Sequence, residues 1–447
     1  MYQLLFSKQH NQRLWSLALP IIISNISVPL LGLVDTAMIG HLSAAYYLGG
    51  VALGSTIISM STWLLGFLRM STTGLTAQAH GQQDVQEQCK LLVQGAVLAF
   101  FLGLIVVLLQ KPMLSMAMSL SAASEQVEFY CRQYVSIRIW SMPIVLLNLV
   151  MLGWLLGRRL PSVAMWQLII ANSVNIVLDA WFILGLGWDV AGAAWASVGA
   201  DITAFLVATF MVYRQLSALR FNQFKLLIKQ VFTSGYQKII SLNANIFIRS
   251  LCLQLTLTFM TFYAAIYGDS TLAANAVLLN LLMLISYGLD GIAYYAEVEV
   301  GQAYGKRAWV QLREAVVLSW FWSAVMAIIF ALLFLSFGSS LVSLLTNITK
   351  VKYIADQYLI WLALMPLWSF GCYLFDGVYI GAAKGAQMRN SMIFSTVLVF
   401  FPFWYVLQDF GNHSLWAALS AFMLSRSATL GIHFVYQKGF QNESSPS

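Results

Sequence analysis

Charge is what this chain has least of: 9% of its 447 residues are Asp, Glu, Lys or Arg, where an ordinary soluble domain carries roughly a quarter. With 60% hydrophobic and 14% aromatic residues, a soluble fold is excluded, because no core of this size could hide so much apolar surface. Cysteine is almost as scarce. Cys89, Cys131, Cys252 and Cys372 are far apart and form no CxxC pair, which excludes dithiol and metal-centre chemistry and leaves them as small apolar packing residues. The five histidines, His10, His41, His80, His413 and His433, fall near connections or span ends. The sequence holds no GxxxxGK[ST] loop, no DxxxD pair, no HExxH and no Ser–His or paired-Asp constellation. ATP hydrolysis, polyprenyl transfer and intramembrane proteolysis therefore lack their residues, and neither enzyme activity nor an organic cofactor is expected.

What remains is a succession of apolar runs of about 20 residues, the length a helix needs to cross a bilayer. Hydropathy and breakers predict helices at about 13–40, 46–74, 91–110, 122–155, 160–186, 190–213, 238–267, 271–300, 313–337, 351–382, 388–408 and 413–437. The runs are continuous rather than alternating, so a barrel is excluded. The basic opening Tyr2–Arg13 precedes a run too long for a signal-peptide core, and it reads as a retained first span. With twelve spans, one side of the membrane collects 16 of the 24 Lys and Arg residues and the other side four. That asymmetry puts both termini in the cytoplasm. The net charge of +7 is thus a topological signal, and no nucleic-acid partner is expected.

The chain also repeats itself. Leu48-Gly49-Gly50-Val51-Ala52-Leu53 aligns with Leu272-Ala273-Ala274-Asn275-Ala276-Val277 at an offset of 224, and Gln78-Ala79-His80-Gly81 aligns with Gln302-Ala303-Tyr304-Gly305 at the same offset. Tyr134 meets Tyr358, Gly157 meets Gly381, and Pro143 and Pro366 differ by 223. The expected architecture is an all-α membrane protein of two six-helix lobes. Each half has an even number of spans, so the repeat is parallel, about an axis along the membrane normal. The expected domains are residues 1–213 and 238–447, joined by a linker over 214–237. The linker's Arg220, Phe221, Phe224, Lys225, Leu227 and Lys229 suit either a helix lying on an anionic leaflet or a solvated connection.

Ionisable residues inside spans cost roughly 2.5–3.5 kcal/mol or more each, so they point to function or to a partner. Asp35 follows Pro29 in the first span; proline deprives the Asn25 carbonyl of its helical donor and weakens the helix there. Asn172, Asn175 and Asp179, spaced i, i+3, i+7, share one face of the fifth span, either as an ion site or as helix–helix hydrogen bonds. Asp290, Tyr294 and Glu297 share a face of the eighth span. Glu299 points about 180° away from that face and is expected at the cytoplasmic interface. Asp376 in the tenth span is the remaining acid of the second half. The alternative role for these second-half acids is to neutralise Arg249 or Arg426. Arg69 reads as structural.

The segment Pro29-Leu30-Leu31-Gly32-Leu33-Val34-Asp35-Thr36-Ala37-Met38-Ile39-Gly40-His41-Leu42 resembles the first-helix motif of the multidrug and toxic compound extrusion (MATE) family. With Arg69-Met70-Ser71-Thr72-Thr73-Gly74-Leu75-Thr76-Ala77-Gln78-Ala79 it is similar to the family's bacterial branch named after DNA-damage-inducible protein F. The resemblance covers nearly the whole chain. It implies two six-helix lobes around a central cavity, in the bacterial inner membrane, exporting amphipathic, often cationic small molecules from a monomer. It also implies that Asp35, Asn175 and Asp179 form a first-lobe proton or sodium site, joined by Tyr134 and by Ser197, a serine where relatives carry threonine. Oxygen ligands of this kind suit a hard ion or a proton. In that scheme a change of protonation at Asp35 bends the first helix at Pro29, and the gradient expels the drug. A flippase for lipid-linked precursors, of a related two-lobe fold, is the alternative; it calls for a strongly cationic cavity.

Overall fold

The computed structural model describes residues 5, 7–40, 45–120, 124–219 and 235–441, with the backbone alone at 28–40, 45 and 120. Among these residues there are helices and no strands, as a bilayer demands of a chain that must satisfy every backbone N–H and C=O internally. The first half contains α1 (Lys8–Gly40), α2 (Ala45–Leu64), α3 (Phe67–Gly81), α4 (Val85–Leu108), α5 (Gln110–Leu120), α6 (Glu125–Arg138), α7 (Met142–Gly157), α8 (Pro161–Asp179) and α9 (Asp189–Ala218). The second half contains α10 (Gln237–Ala264), α11 (Asp269–Gly305), α12 (Trp309–Leu345), α13 (Thr349–Leu364), α14 (Pro366–Gly381), α15 (Gly385–Phe394), α16 (Phe401–Val406) and α17 (Asn412–Tyr436). The linker residues Arg220 to Lys229 lie outside the described residues.

Among the described residues, nine helical stretches are long and apolar enough to cross a membrane alone. Thr349–Leu364 and Pro366–Gly381, bent by 55°, make a tenth if taken as one span. The other two expected spans fall on α1 and on the α15–α16 stretch. The tenth expected span is therefore broken rather than straight, and Pro366 is the reason: it withholds a donor from the turn before it. Pro143 does the same in the first half, where a 3₁₀ turn, Ile139–Ser141, intervenes and the Met142 N–H serves the Ile139 carbonyl instead. π-helical turns follow α8, over Ala180–Gly185, and α15, over Ser395–Phe400. The second of these is explained by Pro402, which cannot donate to the preceding turn.

Contacts gather Ile23–Ile239 into one compact unit and Met1–Ile22 with Ile240–Ser447 into another. Both units are built on the same close helix pair, α3 with α7 and α11 with α14. A Cβ on Gly153 would lie 2.6 Å from the Arg69 carbonyl oxygen, and one on Gly157 would lie 2.7 Å from that of Thr73. At 224 positions further, a Cβ on Gly377 would lie 2.1 Å from the Ala293 oxygen, and one on Gly381 2.3 Å from that of Glu297. Small residues one turn apart let two backbones touch, which is how helices associate where lipid offers no hydrophobic drive. The helix ends repeat as well. The residue after each of these four helices' caps takes a left-handed conformation without being glycine: Gln83, Arg159, Arg307 and Ala383 at φ 60°, 65°, 57° and 55°. Each lets the next N–H reach back to close the end, Asp84 to the Ala79 oxygen at 3.0 Å and Ala308 to the Ala303 oxygen at 2.8 Å, for example; this is the Schellman closure.

Filling the tight crossings should damage both halves. Gly157→Ala and Gly381→Ala are each expected to cost about 1–3 kcal/mol by overpacking, with Gly381→Ala the worse. Thermal unfolding of the detergent-solubilised protein measures this. Unchanged melting in both variants would contradict the crossing as the core of each unit.

Candidate functional site

In the unit Ile23–Ile239, α8 presents its polar face inward. Asn175 and Asp179 are each 2% exposed and Asn172 is half-buried, while Ser173 and Val177 on the other side are exposed. The shared face expected from the i, i+3, i+7 spacing is thus present. Asp179 is the last α-helical residue before the π-helical turn, and π-helical widenings recur at functional sites. α9, which carries the half-buried Ser197, packs against α8 on one side and against α6, with the buried Tyr134, on the other. The side chains of Pro29 and Asp35 lie outside the described residues; the backbone there is helical.

One turn beyond Ser197 on α9 stands an acid that the sequence reading passed over. Asp201 forms an ion pair with Arg138 of α6, and its Oδ2 also accepts from the Ser141 hydroxyl at 2.8 Å. Arg138 is itself one turn from Tyr134, so Tyr134 and Arg138 face Ser197 and Asp201 across the α6–α9 contact. The signal was available: an acid and a base in two spans of one half, neither with an opposite charge one turn away in its own helix. A further polar seam ties α7, α8 and α9, because the Gln167 Nε2 donates to Asn148 Oδ1 and, at 3.0 Å, to the Ala204 carbonyl.

In the other unit Asp376 is clamped. Its Oδ2 accepts from Arg249 Nη1 at 2.8 Å and from Arg426 Nη2 at 2.7 Å. The guanidinium side chains are 6% and 4% exposed and the carboxylate 18%. Two buried guanidinium groups share one carboxylate oxygen, an arrangement that holds Asp376 as their common counter-ion, and losing one partner of such a buried pair typically costs several kcal/mol. Of the α11 residues expected on one face, Tyr294 and Glu297 are buried at 4%, whereas Asp290 is exposed. Glu297 sits in the close crossing with Gly381. Nearby, the hydroxyls of Ser286 and Tyr373 are 2.7 Å apart. Glu299 is paired in two-pronged fashion with Arg13.

Comparison with known proteins fits this duplicated architecture. A profile of the MatE family matches residues 20–181 and again 246–406, once in each half. DNA damage-inducible protein F of Escherichia coli strain K12 is 42% identical over 430 residues, covering 95% of this chain and 92% of that protein. A probable multidrug resistance protein NorM of Bacillus cereus is 23% identical over 415 residues, covering 89% of this chain and 88% of its own length. The outward-facing structure of a multidrug resistance MATE family transporter superposes with a TM-score of 0.83 at 19% identity, covering 100% of this chain and 98% of the other. The chain belongs to the MatE family, the multidrug and toxic compound extrusion transporters.

Proposed function

We propose that this transporter is a proton-driven antiporter that exports amphipathic, cationic small molecules across the bacterial inner membrane, with both termini in the cytoplasm. Protons are exchanged at Asp35 and Asp179, with Asn175, Asn172, Tyr134 and Ser197 as neighbouring oxygen and amide groups; the same set would hold sodium. The observation that carries the reading is the 2% exposure of Asp179 and Asn175 on one face of α8. The cost of a charge on a carboxylate so enclosed is set by the groups around it rather than by water, so gaining or losing a proton there changes the energy of the whole unit.

The charges elsewhere in the bundle favour this assignment. Arg138 is matched by Asp201, and Arg249 and Arg426 by Asp376, so those acids act as counter-ions rather than as exchanging groups. The same pairing weighs against a flippase, since Arg249 and Arg426 are both engaged by Asp376 rather than open to a pyrophosphate. Asp290, exposed on α11, is the acid of that unit best placed to attract a cationic substrate.

Coupling runs through the shape of α1. Pro29 brings no N–H to the helix and weakens it there, so straight and bent forms differ by only a few kcal/mol, a balance that a charge change at Asp35 is large enough to reverse.

Two outcomes are expected. Asp35→Asn and Asp179→Asn should each abolish gradient-driven efflux of a fluorescent cation from proteoliposomes while leaving expression normal, and Asn175→Ala should weaken it less. Imposing a pH gradient alone, then a sodium gradient alone, identifies the ion; wild-type efflux in Asp35→Asn would sink the site. Spin labels on the second half of α1 and on a neighbouring helix of the same unit should change separation between about pH 6 and about pH 8, the range in which a perturbed carboxyl group can titrate. Asp35→Asn should lock one separation and Pro29→Ala should shrink the change. A pH-independent wild type would end the bending mechanism and leave antiport by another route open.

A further inference from the structure

The first half of α1, up to Ile22, is held along one face by the unit that contains Ile240–Ser447. Arg13 Nε donates to Glu299 Oε1 at 3.1 Å and Arg13 Nη2 lies 2.7 Å from Glu299 Oε2. Two residues earlier, Asn11 Oδ1 accepts from the indole Nε1 of Trp322 at 2.7 Å. Two residues later, Trp15 meets the same indole edge to face, with centroids 5.1 Å apart. Leu14, Leu17 and Ala18 are buried with Tyr295 and Leu318. Ile22 presses on Gly291, where a Cβ would come within 2.2 Å of the isoleucine Cγ1. Immediately after this contact the unit membership changes, between Ile22 and Ile23, yet the helix runs on without a break to Gly40. One continuous helix therefore begins in the second unit and ends in the first, with Pro29 seven residues past the boundary.

We infer that Arg13 and Glu299 are positioning residues for transport: they fix the first half of α1, so that a change of shape at Pro29 displaces only the second half, which carries Asp35. The inference rests on the bending reading above for what the second half does, and on the contacts just described for what the first half does. A helix that kinks in its middle swings both arms unless one is held. Here the hold is specific in orientation as well as in place, because a two-pronged guanidinium–carboxylate pair resists rotation about the helix axis where a single contact would not. Glu299 is 9% exposed, so the pair is anchored on a buried carboxylate, and the indole of Trp322 grips the helix on either side of Arg13. Arg13 is the exposed member, at 45%, and it can be altered without opening the core.

The test uses the full-length transporter in proteoliposomes, with labels at Ser16 and Gln311, two exposed positions of the same unit, in a background lacking the four native cysteines. Arg13→Gln is expected to lower gradient-driven efflux of a fluorescent cation roughly tenfold, the scale of change that coupling residues produce. It should also broaden the Ser16–Gln311 distance while gel filtration and melting stay near wild type. Arg13→Lys keeps the charge and loses one prong, and it should recover most of the efflux and a narrow distance. In the unmodified pair, the Ser16–Gln311 distance should be the same at about pH 6 and about pH 8. Wild-type efflux in Arg13→Gln, no recovery in Arg13→Lys, or a Ser16–Gln311 distance that moves with pH overturns the inference. If the labels on the second half of α1 fail to respond to pH while Ser16–Gln311 stays fixed and Arg13→Gln loses efflux, the anchor stands and the bending reading falls.

Discussion

A charge buried among apolar helices has to be matched, and the way each unit meets that demand organises what the rest of the residues are free to do. In one unit Arg138 takes Asp201; in the other Arg249 and Arg426 converge on one oxygen of Asp376. These pairings hold helices distant in sequence at fixed separation, and they engage the residues involved within their own unit. Two further acids are placed by the backbone alone: Asp179 at the end of α8, where the helix widens, and Asp35 six residues beyond a proline.

The same helices are brought together by what they lack. Gly153 and Gly157 on α7, and Gly377 and Gly381 on α14, remove the side chains that would keep α3 and α11 away. In lipid this close approach replaces the hydrophobic drive of a soluble core. It also explains why the repeat survives at these positions when most of the intervening sequence has diverged: the contact is made to backbone, whose geometry does not depend on which residue supplies it.

The spans, the duplication and the polar face of α8 were legible because hydropathy, offset and helical spacing are local properties of the chain. The partners of the charges were harder to read. Asp376 could be assigned either to a second ion site or to Arg249 and Arg426 from spacing alone, since the three residues lie on three helices. Asp201 was passed over because nothing near it in sequence signals Arg138, 63 positions away. The break at Pro366 was hidden because the apolar run continues through it, and hydropathy is blind to a missing donor. Glu299 was separable from Glu297 by angle, but its partner on the opening helix was not. The tie between the first 22 residues and the second half depends on contacts that no local pattern encodes.

That tie bears on how the protein is made. Arg13 and Glu299 are separated by 286 residues, so a ribosome adding about 5–20 residues per second exposes the first helix roughly 15–60 s before its partner exists. During that interval the opening segment has neither Trp322 to clasp nor Gly291 to lie against. The contacts of residues 11–22 are thus among the later ones the chain can make, and a nascent chain stalled before α11 lacks every partner of that segment.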